Sequence, residues 1–213
     1  MPNLVARARS PRGQQTRARL VDAGLSLLAE GGWAAVTTRA VAARSETNAG
    51  LIHYHFGGLP GLRTAVAQRA SEAAVGPLVD LFLRSSDLDE GLDAIRTGIE
   101  RLAADDRLVR LAVQLVAGAG QDPELGAAFR DSLAGARAAI ADWFGARRPD
   151  WPEDRRLGFA ALVAALIDGL LLHRGLDENA PLTEALTAFR DLTDAVAPPD
   201  PHASTHPHRK GTP

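Results

Sequence analysis

The chain has 213 residues, of which 46% are hydrophobic and 23% charged, with no cysteine and a formal net charge of −2. This composition excludes a wholly disordered or collagen-like chain. The lack of thiols excludes a disulfide framework, thiolate catalysis and cysteine-held metal, in keeping with a reducing cytoplasm. A charge of −2 argues against nucleic acid, yet it is a cancellation. Residues 1–69 carry nine Arg against Asp22, Glu30 and Glu46, a balance of +6, while residues 70–213 carry 15 basic and 23 acidic groups, a balance of −8. Such asymmetry suggests a cationic binding module joined to an acidic body.

Met1 to Gln15 is polar and basic, so no secretory leader is expected. From Pro11 to Val196 the sequence reads as helix, rich in Ala, Leu, Arg and Glu with little strand-like alternation. Thr16–Glu30 has helical apolar spacing and should end at Gly31-Gly32. Thr37 can cap a short helix to about Arg44, and Asn48 another to about His55. A longer helix should start near Pro60 and run to Arg84, with a kink or break at Gly76-Pro77. Further helices are expected over 88–104, 107–118, 122–147, 153–175 and 182–196, separated by Gly- and Pro-bearing stretches. Leu157 to Leu172 is the most apolar run. It is interrupted by Asp168 and falls short of the ~20 residues a membrane span needs, so it reads as a buried helix. Residues 198–213 have no apolar periodicity and are expected to be a disordered tail. The fold class is therefore all-α.

Residues 37–56, TTRAVAARSETNAGLIHYHF, have the pattern of a helix-turn-helix. Val41, Ala42, Ile52 and Phe56 would face inward, with Leu20, Leu27, Trp33 and Val36 completing a small core. In such a unit the second helix enters the major groove, presenting Thr47, Asn48, Ala49, Gly50, His53 and Tyr54. The hydroxyls of Thr37 and Thr38 at a helix start suit phosphates. The same spacing also fits an ordinary helical hairpin whose small residues merely pack. His53 and His55 diverge by about 200° on a helix, so they do not form a metal pair. The tail histidines 202, 206 and 208 read as solvated, and no metal or cofactor is expected.

Residues 17–66, RARLVDAGLSLLAEGGWAAVTTRAVAARSETNAGLIHYHFGGLPGLRTAV, closely resemble the DNA-binding domain of the TetR family of transcriptional regulators. The resemblance implies phosphate contacts by Thr37, Thr38 and Arg39. It implies a recognition helix bearing Asn48, Ala49, Gly50, His53 and Tyr54, with Arg17 and the basic arm adding backbone contacts. Phosphate contacts position a protein and base contacts specify sequence, which leaves Asn48, Ala49, Gly50 and His53 as readout candidates. The sequence departs from the family pattern at two places. Glu46 stands where the family often has Gly, implying either a positive φ at a cost of about 1 kcal/mol or a different turn. Gly58-Leu59 replaces the usual Ser-Lys, removing a cation but leaving the backbone amides of Gly57 and Gly58.

The expected organisation is then a disordered basic arm (1–11), a helix-turn-helix DNA-binding domain (12–58), a helical ligand-binding and dimerisation domain (59–197) and the tail (198–213). The stretch 105–178 looks like the BetI-like branch of the family. The 153–175 helix is apolar nearly all round, and with the Leu182, Leu186, Phe189 and Val196 stripe of 182–196 it fits a homodimer interface; a central core helix of a monomer is the other reading. Gln114, Phe129, Trp143, Asp168 and His173 are unusual inside apolar helices and are candidates for a small-molecule pocket. For Asp168 the preferred reading is a carboxylate hydrogen-bonded at a helix interface, with a polar ligand contact as the other. Together these features imply a cytoplasmic bacterial regulator, acting at the nucleoid and outside the membrane. It would be a homodimeric repressor released from a palindromic operator in double-stranded DNA by an effector. A constitutive regulator without a ligand is the alternative. A helical enzyme using Asp168 and His173 is disfavoured, because no nucleophile or phosphate loop accompanies them.

Overall fold

The computed structural model describes residues 10–196. Every regular element among them is an α-helix. The N-terminal helices are α1 (Pro11–Ala35), α2 (Thr38–Arg44), α3 (Gly50–Phe56) and α4 (Leu59–Ala74). They are followed by α5 (Gly76–Arg84), α6 (Leu88–Ala103), α7 (Asp106–Gln121), α8 (Pro123–Arg147), α9 (Glu153–Leu176) and α10 (Leu182–Val196). Residues 1–9 of the basic arm and the whole of the tail, with its three histidines, lie outside the described residues.

Local chemistry accounts for the helix ends. The Ser10 side chain accepts from the Gly13 N–H at 3.2 Å and Pro11 stands at the first helical position, so α1 starts five residues before the expected Thr16. Gly32, at φ 66°, breaks the helical path where the Gly31-Gly32 stop was expected, and the last turn to Ala35 lies beyond it. Thr37 caps α2 as anticipated, its hydroxyl accepting from the Ala40 N–H at 3.2 Å. The chain breaks between α4 and α5 at Val75, just before Gly76-Pro77. Asp87 caps α6 through the Glu90 N–H, while the Glu90 carboxylate accepts from the Ser86 N–H at 2.6 Å. Glu90 thus reaches back to the residue before the cap, and the hydrogen bonds from the Ser86 N–H and hydroxyl hold its carboxyl below the ordinary range.

The core of the N-terminal helices is wider than the eight residues the sequence picks out. Leu20, Val36, Val41, Ala42 and Ile52 are buried, but Leu27, Trp33 and Phe56 are only partly buried at its edge. The interior positions are instead Leu25 and Leu28 of α1 with Leu62 and Val66 of α4. The same cluster continues into Leu111 and Leu115 of α7 and Leu125 of α8, so head and body share one apolar interior. A second cluster is aromatic. Phe82 of α5 meets Trp143 of α8 with ring centroids 4.6 Å apart, and Phe144 stacks on Trp151 at 5.5 Å. Such ring pairs add about 0.5–1.5 kcal/mol each beyond the area they bury.

Helix α9 is buried along one face only. Ala160, Val163, Ala164, Ile167 and Leu171 point inward, while Leu157 and Leu162 are 51% and 55% exposed. The expected buried helix is thus half open, and the open half is apolar. By length and composition α9 is also apolar enough to cross a membrane, a test that core helices of soluble proteins pass as well. The chain from Pro181 onward is a separate compact unit. Its helix α10 carries Leu182, Leu186 and Phe189 at helical spacing, with Leu192 exposed.

Candidate nucleic-acid interface

The two seven-residue helices α2 and α3 are joined by a turn over Ser45–Asn48. Buried Ser45 holds the turn from inside, its hydroxyl donating to the Val41 carbonyl at 2.7 Å and lying 2.8 Å from the Thr47 hydroxyl. The Arg19 guanidinium, reaching over from α1, donates to the Ser45 carbonyl. Glu46 has φ 52°, the one positive value at a non-glycine among the described residues. That is one of the two outcomes expected from its sequence. Asn48 accepts the Gly50 N–H on its Oδ1 at 2.8 Å, so it serves the start of α3 although the formal cap is Ala49. At the other end Gly57, at φ 74°, closes α3 by donating its N–H to His53, and Gly58 follows at φ 135°. Side chains are disfavoured at both angles, which explains a Gly-Gly pair here.

This arrangement turns one face of α3 inward and one outward. Ile52 is fully buried, whereas Gly50, His53 and Tyr54, spaced i, i+3 and i+4, are exposed together with Asn48. Ala49 is half-buried. The His53 ring lies against Gly58, and a Cβ there would stand 3.6 Å from its Nδ1. Tyr54 sits edge-on to His55 at 4.9 Å. His55 is partly buried, and that burial together with the charge of Arg17 lowers its pKa. At the start of α2, Thr37 and Arg39 are exposed and Thr38 is half-buried. Although the Thr37 oxygen already accepts a cap bond, its hydroxyl proton is still available to a phosphate.

The charge excess of the head is not all available for binding. Arg44 is paired with Glu30 at 2.7 Å and Arg69 with Asp22 and Glu72, while Arg63 donates to the carbonyls of Trp33 and Val36. Arg12, Arg17 and Arg39 make no ion pair among the described residues. Arg17 lies 5.1 Å over the Phe56 ring, which puts its charge at the end of α3. An open groove of about 400 Å³ lies beside it, bordered by Ser10, Arg12, Gly13 and Thr16 of α1 and by Leu51, Tyr54 and His55 of α3. Ser10, Arg12 and Thr16 were not singled out from the sequence. Only the docking of the first turn of α1 against α3 brings them beside Tyr54, although Ser10-Pro11 is a legible helix start.

In the body the structure brings together two of the five pocket candidates. Phe129 of α8 and Asp168 of α9 line one cavity of about 150 Å³, walled otherwise by aliphatic side chains, among them Leu115 and Val116 of α7, Leu133 of α8 and Leu171 of α9. Burial in this apolar setting pushes the Asp168 carboxyl up to about 6, against a smaller opposing effect from the charge of Arg137. No hydrogen bond or ion pair to that carboxylate is present among the described residues. The other three candidates lie elsewhere. Gln114 takes part in the contact between α7 and α1, its carbonyl accepting the Trp33 indole N–H. Trp143 belongs to the aromatic cluster and donates its Nε1–H to the Ser85 carbonyl at 3.2 Å. His173 is exposed to solvent.

Residues 20–66 match the family of bacterial regulatory proteins known as the tetR family. Among solved structures the chain is similar to one named as a transcriptional regulator from Streptomyces coelicolor A3(2). They share 26% identity over 84% of this chain and 98% of that one, with a TM-score of 0.71. A structure named as a transcriptional regulator from Pseudomonas aeruginosa PAO1 also has a TM-score of 0.71, at 21% identity over 92% of this chain and 98% of its own. A third is a TetR family repressor from Dietzia sp. strain DQ12-45-1b, implicated in biodegradation of n-alkanes. It has 19% identity over 88% and 97% of the two chains and a TM-score of 0.57. No curated protein matches the chain.

Proposed function

From a chain whose N-terminal domain is that of the TetR family of bacterial regulatory proteins, and which is therefore a DNA-binding transcriptional regulator, we propose a homodimeric repressor that leaves a palindromic operator when a small molecule occupies its helical body. The observation that carries the reading is the outward face of α3. Asn48, Gly50, His53 and Tyr54 are presented to solvent on a helix whose opposite side is anchored by fully buried Ile52. A rigid seat of this kind lets small residues approach base edges while the Asn and His tips read them. Arg17, Thr37, Thr38 and Arg39 hold the flanking phosphates, as does the groove at Ser10, Arg12 and Thr16, and Tyr54 sits between the two sets of contacts. Nearly all these cations are Arg, which suits bidentate phosphate contacts.

Dimerisation is favoured by the open face of α9. Gly158, Ala161, Leu162 and Ala165 are exposed on it without a charged residue among them, and a Cβ at Gly158 or Gly169 would meet nothing within 4 Å. A second copy of the chain covers such a face best. Two copies also supply the two recognition helices that a palindrome requires, ~34–36 Å apart. The cavity around Phe129 and Asp168 supports an effector site in the body, and a cytoplasmic protein acting at the nucleoid follows from the DNA role. No acid–base chemistry is proposed, since Asp168 lines the cavity while His173 faces solvent.

Selection of bound sequences from random double-stranded DNA tests the reading. Enrichment of a two-fold symmetric site with half-sites about one helical turn apart is expected. Recovery of no common sequence contradicts it.

A further inference from the structure

Among Thr47, Asn48, Ala49 and Gly50, which lead into α3, the polar tip on the outside is that of Asn48. Thr47 is half-buried, its hydroxyl 2.8 Å from that of buried Ser45, and Ala49 and Gly50 have no functional group to offer. The exposed Asn48 amide has two ends that are not equivalent. The Gly50 N–H donates to its Oδ1 at 2.8 Å. Because a backbone N–H only donates, the amide has one orientation, with the oxygen on Gly50 and Nδ2 as the end left to meet a partner. Among the described residues Nδ2 has no hydrogen-bond partner. Gly50 makes room for this seat, since a Cβ there would press on Oδ1 at 3.2 Å.

Asparagine ordinarily reads adenine with both ends at once, at its N6 and N7. Here that pairing takes the oxygen from the Gly50 N–H, a donor at a helix start that no carbonyl of the helix can meet. Left unpaired against DNA, where water is excluded, that N–H costs about as much as the bidentate pair gains. With Oδ1 kept in place, Asn48 faces the major groove as a donor alone. The keto oxygens, O6 of guanine and O4 of thymine, accept from such a group. Cytosine and adenine put an amino group in the same place, which meets it as a second donor.

We propose that Asn48 is a specificity-determining residue that selects a keto base, guanine or thymine, by donating from Nδ2 to its O6 or O4. The proposal rests on the DNA-reading role of α3 given above and names the base chemistry of one contact. The reading group is a side-chain nitrogen, so exchanging it for oxygen reverses what the position reads. Asn48→Asp makes that exchange, keeping an oxygen for the Gly50 N–H and presenting an acceptor where the donor was. Every base pair sets a keto base on one strand against an amino base on the other, so the reversal appears as an inverted pair.

The test uses the full chain, first in selection from random double-stranded DNA and then in equilibrium binding to the selected operator. One base pair of each wild-type half-site should lose its preference in Asn48→Ala and be inverted in Asn48→Asp, G·C to C·G or T·A to A·T. On duplexes that differ only by inversion of that pair, the wild type should favour its own by tenfold or more. Asn48→Ala should distinguish them by less than threefold, and Asn48→Asp should favour the inverted pair by threefold or more. The added negative charge weakens binding to both duplexes alike, so their ratio is the readout. A melting curve for each variant establishes that it is folded. A consensus unchanged in both variants overturns the proposal while DNA reading by α3 stands. So does an Asn48→Asp variant that still favours the wild-type pair, as adenine read by both ends of the amide would give, or that no longer distinguishes the two. A wild type that enriches no common sequence removes the DNA reading and this proposal with it.

Discussion

The indole of Trp33 donates its Nε1–H to the carbonyl of Gln114 at 2.7 Å, tying the end of α1 to the middle of α7 across 81 residues of sequence. The same ring fills the space over Gly118, where a Cβ would stand 2.3 Å from the indole nitrogen. Arg110 adds a bond from α7 to the Ala29 carbonyl of α1 at 3.1 Å. Helix α7 also walls the cavity with Leu115 and Val116, so one element touches both α1 of the head and the site proposed for the effector. Coupling of ~1–3 kcal/mol between two sites suffices for a regulatory response, and a shared helix is a physical route for it.

This junction is expected to be sensitive to small changes. Gly118→Ala forces the indole aside and should cost about 1–3 kcal/mol. Trp33→Phe removes the indole hydrogen bond while the Gln114 carbonyl keeps its helical partner, and should cost about 0.5–1.5 kcal/mol. Urea unfolding of each variant measures both. Stabilities equal to the wild type would show that head and body are held together by other contacts.

At the turn of the helix-turn-helix, Glu46 occupies a φ of 52° that glycine adopts without strain. Glu46→Gly is expected to stabilise the protein by about 0.5–1 kcal/mol, the relief at positive φ exceeding the entropy that glycine adds to the unfolded chain. A lowered thermal midpoint would mean that the side chain contributes a contact worth more than the strain.

The pH dependence of Asp168 has a definite sign. Its folded value is about 6 against an ordinary 3.8, so the folded chain holds that proton more tightly than the unfolded one. The charged form therefore costs stability, a cost absent below about pH 4, growing between about 4 and 6, and constant above. With partial exposure discounted, it is of order 2 kcal/mol at most. Asp168→Asn should thus match the wild type near pH 4 and be more stable at pH 7.5. An equal difference at the two pH values, read by urea unfolding, would show that the carboxylate is not strained by burial.

Much of this was legible because it is local. Thr37 announces a helix start by its side chain, Gly57-Gly58 and Gly76-Pro77 announce breaks, and a positive φ at Glu46 is one of the outcomes the family resemblance implies for that turn. The exposed Asn48, His53 and Tyr54 follow from the period of α3 once Ile52 is taken as its inward side. Contacts between distant segments were not legible. Gln114 and Trp143 look like pocket residues because each is a polar or large group in an apolar helix. In the folded chain Gln114 meets Trp33, and Trp143 is committed to Phe82 and the Ser85 carbonyl. Phe56 looks like core by spacing, yet it lies at the rim under Arg17. Counting arginines likewise overstated the free charge of the head, because Arg44, Arg63 and Arg69 are spent on internal partners that only the fold reveals.

The central claim is that the outward face of α3 reads DNA. It is tested most directly by equilibrium binding of the full chain to its selected palindrome, with His53→Ala and Tyr54→Ala beside the wild type and salt varied from about 50 to 200 mM. The account predicts that log K falls linearly with log salt. Each variant should lose about 1–3 kcal/mol of operator affinity, roughly tenfold or more, with an unchanged melting temperature, because neither side chain is part of the core. Operator affinity unchanged in both variants, or equal affinity for a scrambled duplex, would contradict it.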